Sequence, residues 1–295
     1  AGNVSADGGT IKLDGNYPTG TNNVALGDAA MSAVQAGADS NTAVGRLALT
    51  ANTTADYNTA VGGNSLRANT TGHTNSSFGQ DAMRFNSTGA SNVAVGQQAL
   101  HNNTTASNNT AVGFQAGYYT TTANRLTAIG QFAGYGQATG AENTYVGYGS
   151  GPNTVANASG QYNTGLGTFA LYSNTTASNN TAVGYQAGYS TTTDGENTAV
   201  GSQAFYSNTT GNRNVALGRE ALYSNTTADG NVAVGFEAAL NNTTAELNSA
   251  LGFNALRTNT TGGNNVALGA SALYSNTTAS NNTAVGWFTL YNNST

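Results

Sequence analysis

The sequence holds no cysteine, two prolines, one tryptophan and a single lysine, Lys12, and charged residues make up only 7% of it. Without cysteine there is neither a disulfide scaffold nor a thiolate metal site, which suits an extracellular or virion protein that persists without redox chemistry. Eight basic residues against thirteen acidic ones leave a net charge of −5. With no cluster of cations to hold phosphates, no nucleic-acid partner is expected. No apolar run approaches the ~20 residues that a bilayer-spanning helix requires, so no membrane insertion is expected. The scarcity of charge also separates this composition from chains kept open by charge repulsion. The chain starts at Ala1, without an initiator methionine or a signal peptide, and reads as processed or as a fragment.

What the sequence has instead is repetition. The stretch "TTASNNTAVG" begins at Thr104, Thr175 and Thr277, letter for letter. A glycine after a short apolar run, as in "NVALG" or "NTAVG", marks the period. It falls at Gly27, then at Gly45, Gly62, Gly79 and on in a constant 17-residue step to Gly147. The same step resumes at Gly167 and Gly184 and continues to Gly286. Two intervals are irregular: the one from Gly27 to Gly45 is longer by one position, and the one from Gly147 to Gly167 is longer by three. Sixteen copies of one unit result, and a fixed short period decides the architecture before any local propensity is read. Residues 1–20 do not fit the unit and read as an N-terminal cap or connector. Residues 21–295 read as a repeat shaft with an irregular segment around 114–165.

Within a unit, Val215 and Leu217 lie two apart and face one way on an extended chain, while Ala216 faces the other. Threonine takes the first of these places at Thr181, with Val183 as its companion, so a β-branched residue is kept. Val and Leu are taken as the inward pair and alanine as a face that another backbone approaches. Glycine then ends the strand. The run Arg219 to Tyr223 carries one small and one large apolar residue, Ala221 and Leu222, and is read as a second short strand. The remaining Asn-, Ser- and Thr-rich residues suit turns, through side-chain bonds to nearby backbone.

One unit has too few apolar side chains to fold alone, and stacking resolves this. The sequence therefore predicts an all-β protein, a parallel β-solenoid or β-roll of about sixteen 17-residue coils. At the inter-strand spacing of ~4.8 Å such a stack would run to about 75 Å. Asn174, Asn208, Asn225, Asn242, Asn259 and Asn276 should form a ladder of amides. Thr175, Thr209, Thr226, Thr243, Thr260 and Thr277 should form another. The alanine face, at Ala111, Ala182, Ala216, Ala233 and Ala284, is predicted to lie at the contact of a homotrimer. The alternative is a monomeric solenoid whose small coil is closed by alanine alone.

At "NVALG" and "NTAVG" the sequence resembles the head repeats of trimeric autotransporter adhesins, in the same register of apolar, alanine, apolar, glycine. The longer patterns "NNTAVGYQAGYSTTT" and "ALYSNTTASNNTAVG" are similar to repeat regions of cyanophage-like marine phage tail-fibre proteins, which often end in a self-cleaving chaperone that this chain does not show. The resemblance implies a trimeric, surface-projecting shaft. It implies the chain itself, a host cell-surface receptor or glycan, and other virion or appendage proteins as partners, and a virion appendage or the extracellular surface as its place. The 17-residue unit is longer than the typical autotransporter repeat, so an extra turn per coil is implied.

No catalytic, metal or cofactor constellation stands out, and none is predicted. His73 and His101 are the only histidines and are not a whole number of units apart, so they share no ladder and read as solvated. The acidic residues form no calcium-loop pattern, and no glycine run precedes a helix as a phosphate loop does. Tyr172, Tyr189, Tyr206 and Tyr223 recur once per unit, and Tyr274 and Tyr291 resume the row after Leu240 and Arg257. Such a stripe is either a packing ladder or a surface on which a glycan stacks. The extra residues near Pro152, Asn153, Asn157 and Tyr162 form a candidate contact loop, because insertions in a solenoid map to loops. Gly117, Gly134 and Gly151 replace the usual leucine, so a thinner core is expected there. The many N-x-T sequons are the asparagine and threonine rows seen again.

Four readings of function remain at this stage. The first is a phage tail-fibre shaft supporting host attachment; the others are a bacterial surface adhesin or filament, an ice-binding β-solenoid, and an enzyme on a β-helical stem. The last is disfavoured because no paired carboxylates recur. Against the ice-binding reading, the paired threonines sit in the turn-like part of the unit.

Overall fold

The computed structural model describes residues 22–153 and 157–294, together with the backbone of two short strands, Ala6–Asp7 and Thr10–Ile11, which pair antiparallel. The rest of the expected cap at 1–20 lies outside the described residues. Two compact units are present, Ala1–Gln115 and Ala116–Thr295.

Each unit is a parallel β-solenoid. In the first, three-residue strands run from Val24–Leu26 to Thr110–Val112. In the second they run from Thr127–Ile129 to Thr283–Val285. Neighbouring strands within a unit pair in parallel and in register, Val215 with Val232, Ala216 with Ala233 and Leu217 with Val234. The longer step from Gly147 to Gly167 keeps that register, with Thr144 opposite Thr164 and Val146 opposite Leu166, so the added residues lie outside the strand.

The marker glycine closes the strand for a steric reason. Gly218 has φ of 135°, and a Cβ built there would lie 2.4 Å from the Gly235 carbonyl oxygen of the next coil. Only a residue without a side chain allows the backbones of successive coils to approach so closely.

The second half of the coil is not a strand. Ala221 N–H donates to Gly218 O, Tyr223 N–H to Glu220 O and Asn225 N–H to Leu222 O, a run of consecutive β-turns. Glu220 and Leu222 hold φ of 57° and 50°, the left-handed geometry of the third residue of a type II turn. This explains why Ala221 and Leu222, adjacent in sequence, are both wholly buried. A strand would have sent them to opposite faces. Left-handed backbone costs an L-residue roughly 1–2 kcal/mol. Bonds between coils compensate, among them Leu222 N–H to Ala238 O at 3.0 Å and Ser224 N–H to Leu240 O at 3.0 Å.

Inside and outside are also the reverse of the expectation. Ala216 is wholly buried, and Ala111, Ala182, Ala233 and Ala284 are at most 1% exposed within their own chain. They are therefore the inner wall of the coil and cannot form a subunit contact. Where residues such as Leu222 and Ala221 occupy the turn half of the coil, little more than a Cβ fits at mid-strand. Val and Leu point outward instead, with Leu26 54% and Val285 61% exposed.

Asparagine completes this thin core. The predicted ladder is present: Asn225 donates to Asn208 Oδ1 at 3.2 Å, Asn259 to Asn242 at 2.8 Å and Asn276 to Asn259 at 2.9 Å. A second ladder, which periodicity alone did not single out, precedes each strand. Asn214 N–H and Nδ2 both donate to Asn197 Oδ1, and Nδ2 also reaches Ala228 O across the coil at 2.8 Å. Both rows are buried, and paired amides replace the apolar mass that so small a coil lacks. In the threonine row each hydroxyl donates to a carbonyl of the following coil, as Thr226 does to Thr243 O at 3.2 Å.

The expected thinning of the core is corrected at Tyr145. This strand residue sits where other coils carry alanine and is wholly buried. Its ring fills the space left by Gly134 and Gly151, and Leu126 contributes beside it. Burial raises the Tyr145 phenol above its ordinary value, and its hydroxyl lies 3.3 Å from Gln137 Oε1.

Candidate functional site

Two rows of side chains run along the turn half of the second unit. One begins two residues after the marker glycine and reads Phe132, Gly149, Phe169, Gln186, Gln203. The other begins five residues after it and reads Tyr118, Tyr135, Pro152, Tyr172, Tyr189, Tyr206, Tyr223. Identical backbone in each coil brings like residues into vertical alignment. Where both neighbours are glutamines their amides bond, as Gln203 does to Gln186 Oε1 at 3.1 Å.

The tyrosines stack as a packing ladder does. Tyr172 and Tyr189 are 5.1 Å apart between ring centroids at 7°, and Tyr206 and Tyr223 are 5.0 Å apart at 4°. Tyr274 and Tyr291 repeat this at 4.9 Å and 9°. Between the two runs, Arg257 makes the column polar: its Nε donates to Glu237 at 2.5 Å, and its guanidinium lies 5.8 Å from the Tyr274 ring centroid. Rings stacked in this way cover one another's faces, so the stripe offers edges and hydroxyls along most of its length.

The stack is broken in one coil. Pro152 takes a tyrosine's place and is buried, and Gly149 takes the place of the large side chain in the adjoining row. A Cβ at Gly149 would lie 2.8 Å from Phe169 Cδ1, so the bulky neighbour and the glycine require each other. The Tyr118–Tyr135 stack, at 5.4 Å, thus ends on one side of a one-coil gap, and the stack that starts at Tyr172 begins on the other. The result is an open groove of about 310 Å³, lined by aromatic rings together with Gly149 and Asn153. Tyr148, 44% exposed, stands in it edge-on to Phe132 at 6.1 Å and to Phe169 at 5.2 Å. Asn153 is fixed at its margin by a bond from Nδ2 to Phe132 O at 2.9 Å.

The structure therefore joins two candidates that sequence kept apart, the tyrosine stripe at Tyr172 and the irregular loop at Asn153. It leaves Asn157 and Tyr162 out of the groove, both exposed. Sequence reasoning missed Phe132, Tyr135, Tyr148, Gly149 and Phe169. The signal was present: in a 17-residue register, one coil loses its side chain in one row and its ring in the other.

His73 is exposed, as expected, with Nδ1 3.2 Å from Thr74 Oγ1. His101 is not solvated. It is 7% exposed and meets the Phe85 ring edge-on at 5.0 Å, and burial lowers its basicity. Among the described residues, no three His, Cys, Asp or Glu side chains converge as metal ligands would.

Compared with known proteins, the chain matches no family model, and no curated protein matches it in sequence. The fold itself places it among β-solenoid repeat proteins.

Proposed function

We propose that the protein is a structural appendage component, a tail-fibre-like shaft that self-associates and supports attachment to a host surface. The outward strand face supports this reading. It presents a row of Thr, Val and Ser beside an apolar row, Leu26, Val44, Val61, Phe78, Val95 and Val112 in the first unit and Val, Leu and Ile in the second, in register from coil to coil within each unit. Val232, Leu251, Val266 and Leu268 are 39–46% exposed in the single chain. Such a contiguous apolar strip on the outer face of a sheet marks an association surface. A partner with the same coil spacing, a further copy of this chain, matches it strand for strand. The trimer expected from the resemblance would place these rows, and not the alanines, at its contacts. Sedimentation of the purified protein tests this. A particle of three chains, each of 29.6 kDa, supports the proposal, and a monomer at micromolar concentration removes it.

A second reading has gained one observation. Thr127, Thr144, Thr164, Thr181 and Thr198 occupy the outward first position of five successive strands, so threonine also lines the outer face. Regular hydroxyl rows of this kind support ice binding, and thermal hysteresis of the monomer is its test.

A further inference from the structure

We propose that the one-coil gap in the aromatic stack is a binding site for a neutral pyranose ring. The site is the groove between Tyr135 and Tyr172, lined also by Phe132, Tyr148, Gly149, Asn153 and Phe169.

Consider first the spacing. Adjacent stacked tyrosines lie 5.0–5.1 Å apart in the unbroken stretch from Tyr172 to Tyr223. Omitting one ring opens about 10 Å between its neighbours, by the coil spacing of ~4.8 Å. A ring held between two others needs about 3.5–4.0 Å on each side, so one ring fits and two in parallel do not. The outer faces of Tyr135 and Tyr172 are covered by Tyr118 and Tyr189; toward the gap they meet no aromatic ring of their own row, and Phe132 and Phe169 of the adjoining row meet them edge-on at 5.7 and 5.2 Å. This is the one break among the described residues where stacked tyrosines flank a coil whose residue in that row, the buried Pro152, is neither aromatic nor long. At the other interruption, Leu240 and Arg257 fill the places.

The chemistry of the lining selects the occupant. Aromatic faces attract the C–H face of a sugar, while Tyr148 and Asn153, both in the lining, supply a hydroxyl and a carboxamide oxygen as polar groups for its hydroxyls. No lining side chain carries a formal charge, so an acidic sugar or a phosphate finds no counter-ion. A volume of about 310 Å³ limits the enclosed part to one or two rings. Concave, mostly aromatic sites with few polar groups are the usual form of small-ligand pockets.

The reading stands apart from the appendage proposal, since a monomer with no structural role would have the same slot. The test is a titration of the native full chain with neutral gluco-, galacto- and manno-oligosaccharides of two to four units, with sialylated and sulfated sugars in parallel. Binding of a neutral member is expected. Tyr172→Leu, which installs the residue found at Leu240 in the same row, and Tyr148→Ala should each weaken it by about tenfold or more. Tyr223→Leu, inside the unbroken stack, should leave it unchanged, and thermal melting of all three variants establishes that each is folded. Three results would overturn the proposal: no neutral sugar bound up to millimolar concentration, acidic sugars bound alone, or equal losses in Tyr172→Leu and Tyr223→Leu.

Discussion

A Cβ placed on Gly151 would lie 2.5 Å from Cγ of the buried Tyr145 ring, so the glycine and the tyrosine are two halves of one packing decision. The common pattern puts alanine on the strand and a large apolar residue, most often leucine, on the turn; here the large group has moved to the strand and the turn has given way. Tyr145→Ala alone should cost about 3–5 kcal/mol, in the range of large aromatic truncations, and should lower the unfolding midpoint in denaturant. Tyr145→Ala combined with Gly134→Leu and Gly151→Leu restores the common pattern and should recover most of that loss. A triple variant no more stable than the single one would show that the exchange is not compensatory.

The same tyrosine predicts a response to alkali. Burial raises its phenol above the ordinary value of 10.0, so the folded state keeps a proton that the unfolded chain releases. This contribution is complete below pH 10 and declines as pH rises above it. Melting temperature should fall more steeply above pH 10 in the native protein than in Tyr145→Phe.

Asn225 lies at the meeting of several buried bonds, donating to Asn208 Oδ1 and to Ala228 O and receiving Asn242 Nδ2. Asn225→Ala leaves those partners unpaired in a dry interior and should cost about 1–3 kcal/mol per orphaned group. Thr226→Val, which removes one part-buried hydroxyl bond, should cost about 1 kcal/mol. Hydrogen exchange should show the Asn225→Ala damage concentrated in the adjoining coils, because stacked repeats feel chiefly their neighbours.

Gly218→Ala should be among the most disruptive single substitutions in the chain, since the new methyl meets backbone that cannot rotate away. Loss of the cooperative melting transition, or insolubility, is the expected result. Ala216→Gly, nearby on the inner wall, should cost only about 1 kcal/mol through backbone freedom.

Leu251→Glu tests the outer face. The side chain is 46% exposed, so the isolated fold should change by within about 0.5 kcal/mol. If copies associate through this face, the solution mass should drop toward that of the single chain.

The period, the stacking and the first asparagine ladder were legible in the residues because each depends only on recurrence. Which face of "NVALG" points inward was not. Alternation distinguishes two faces, and only the width of the coil decides that Ala216 is inside and Leu217 outside. The turns at Glu220 and Leu222 escaped because left-handed backbone is uncommon at such residues, and their partners belong to other coils. The slot escaped because it is made by what Gly149 and Pro152 omit.

The asparagine rows carry a consequence of another kind. From Asn225 to Asn276 each side-chain amide donates to the asparagine of the preceding coil, and Asn214 does the same in the second row. Amide dipoles aligned in one sense add along a column, as they do in a helix. The column thus has a head that is slightly positive, toward lower residue numbers, and a tail that is slightly negative. Such a column is an oriented electrical object, and whatever meets one extremity encounters a different potential from whatever meets the other.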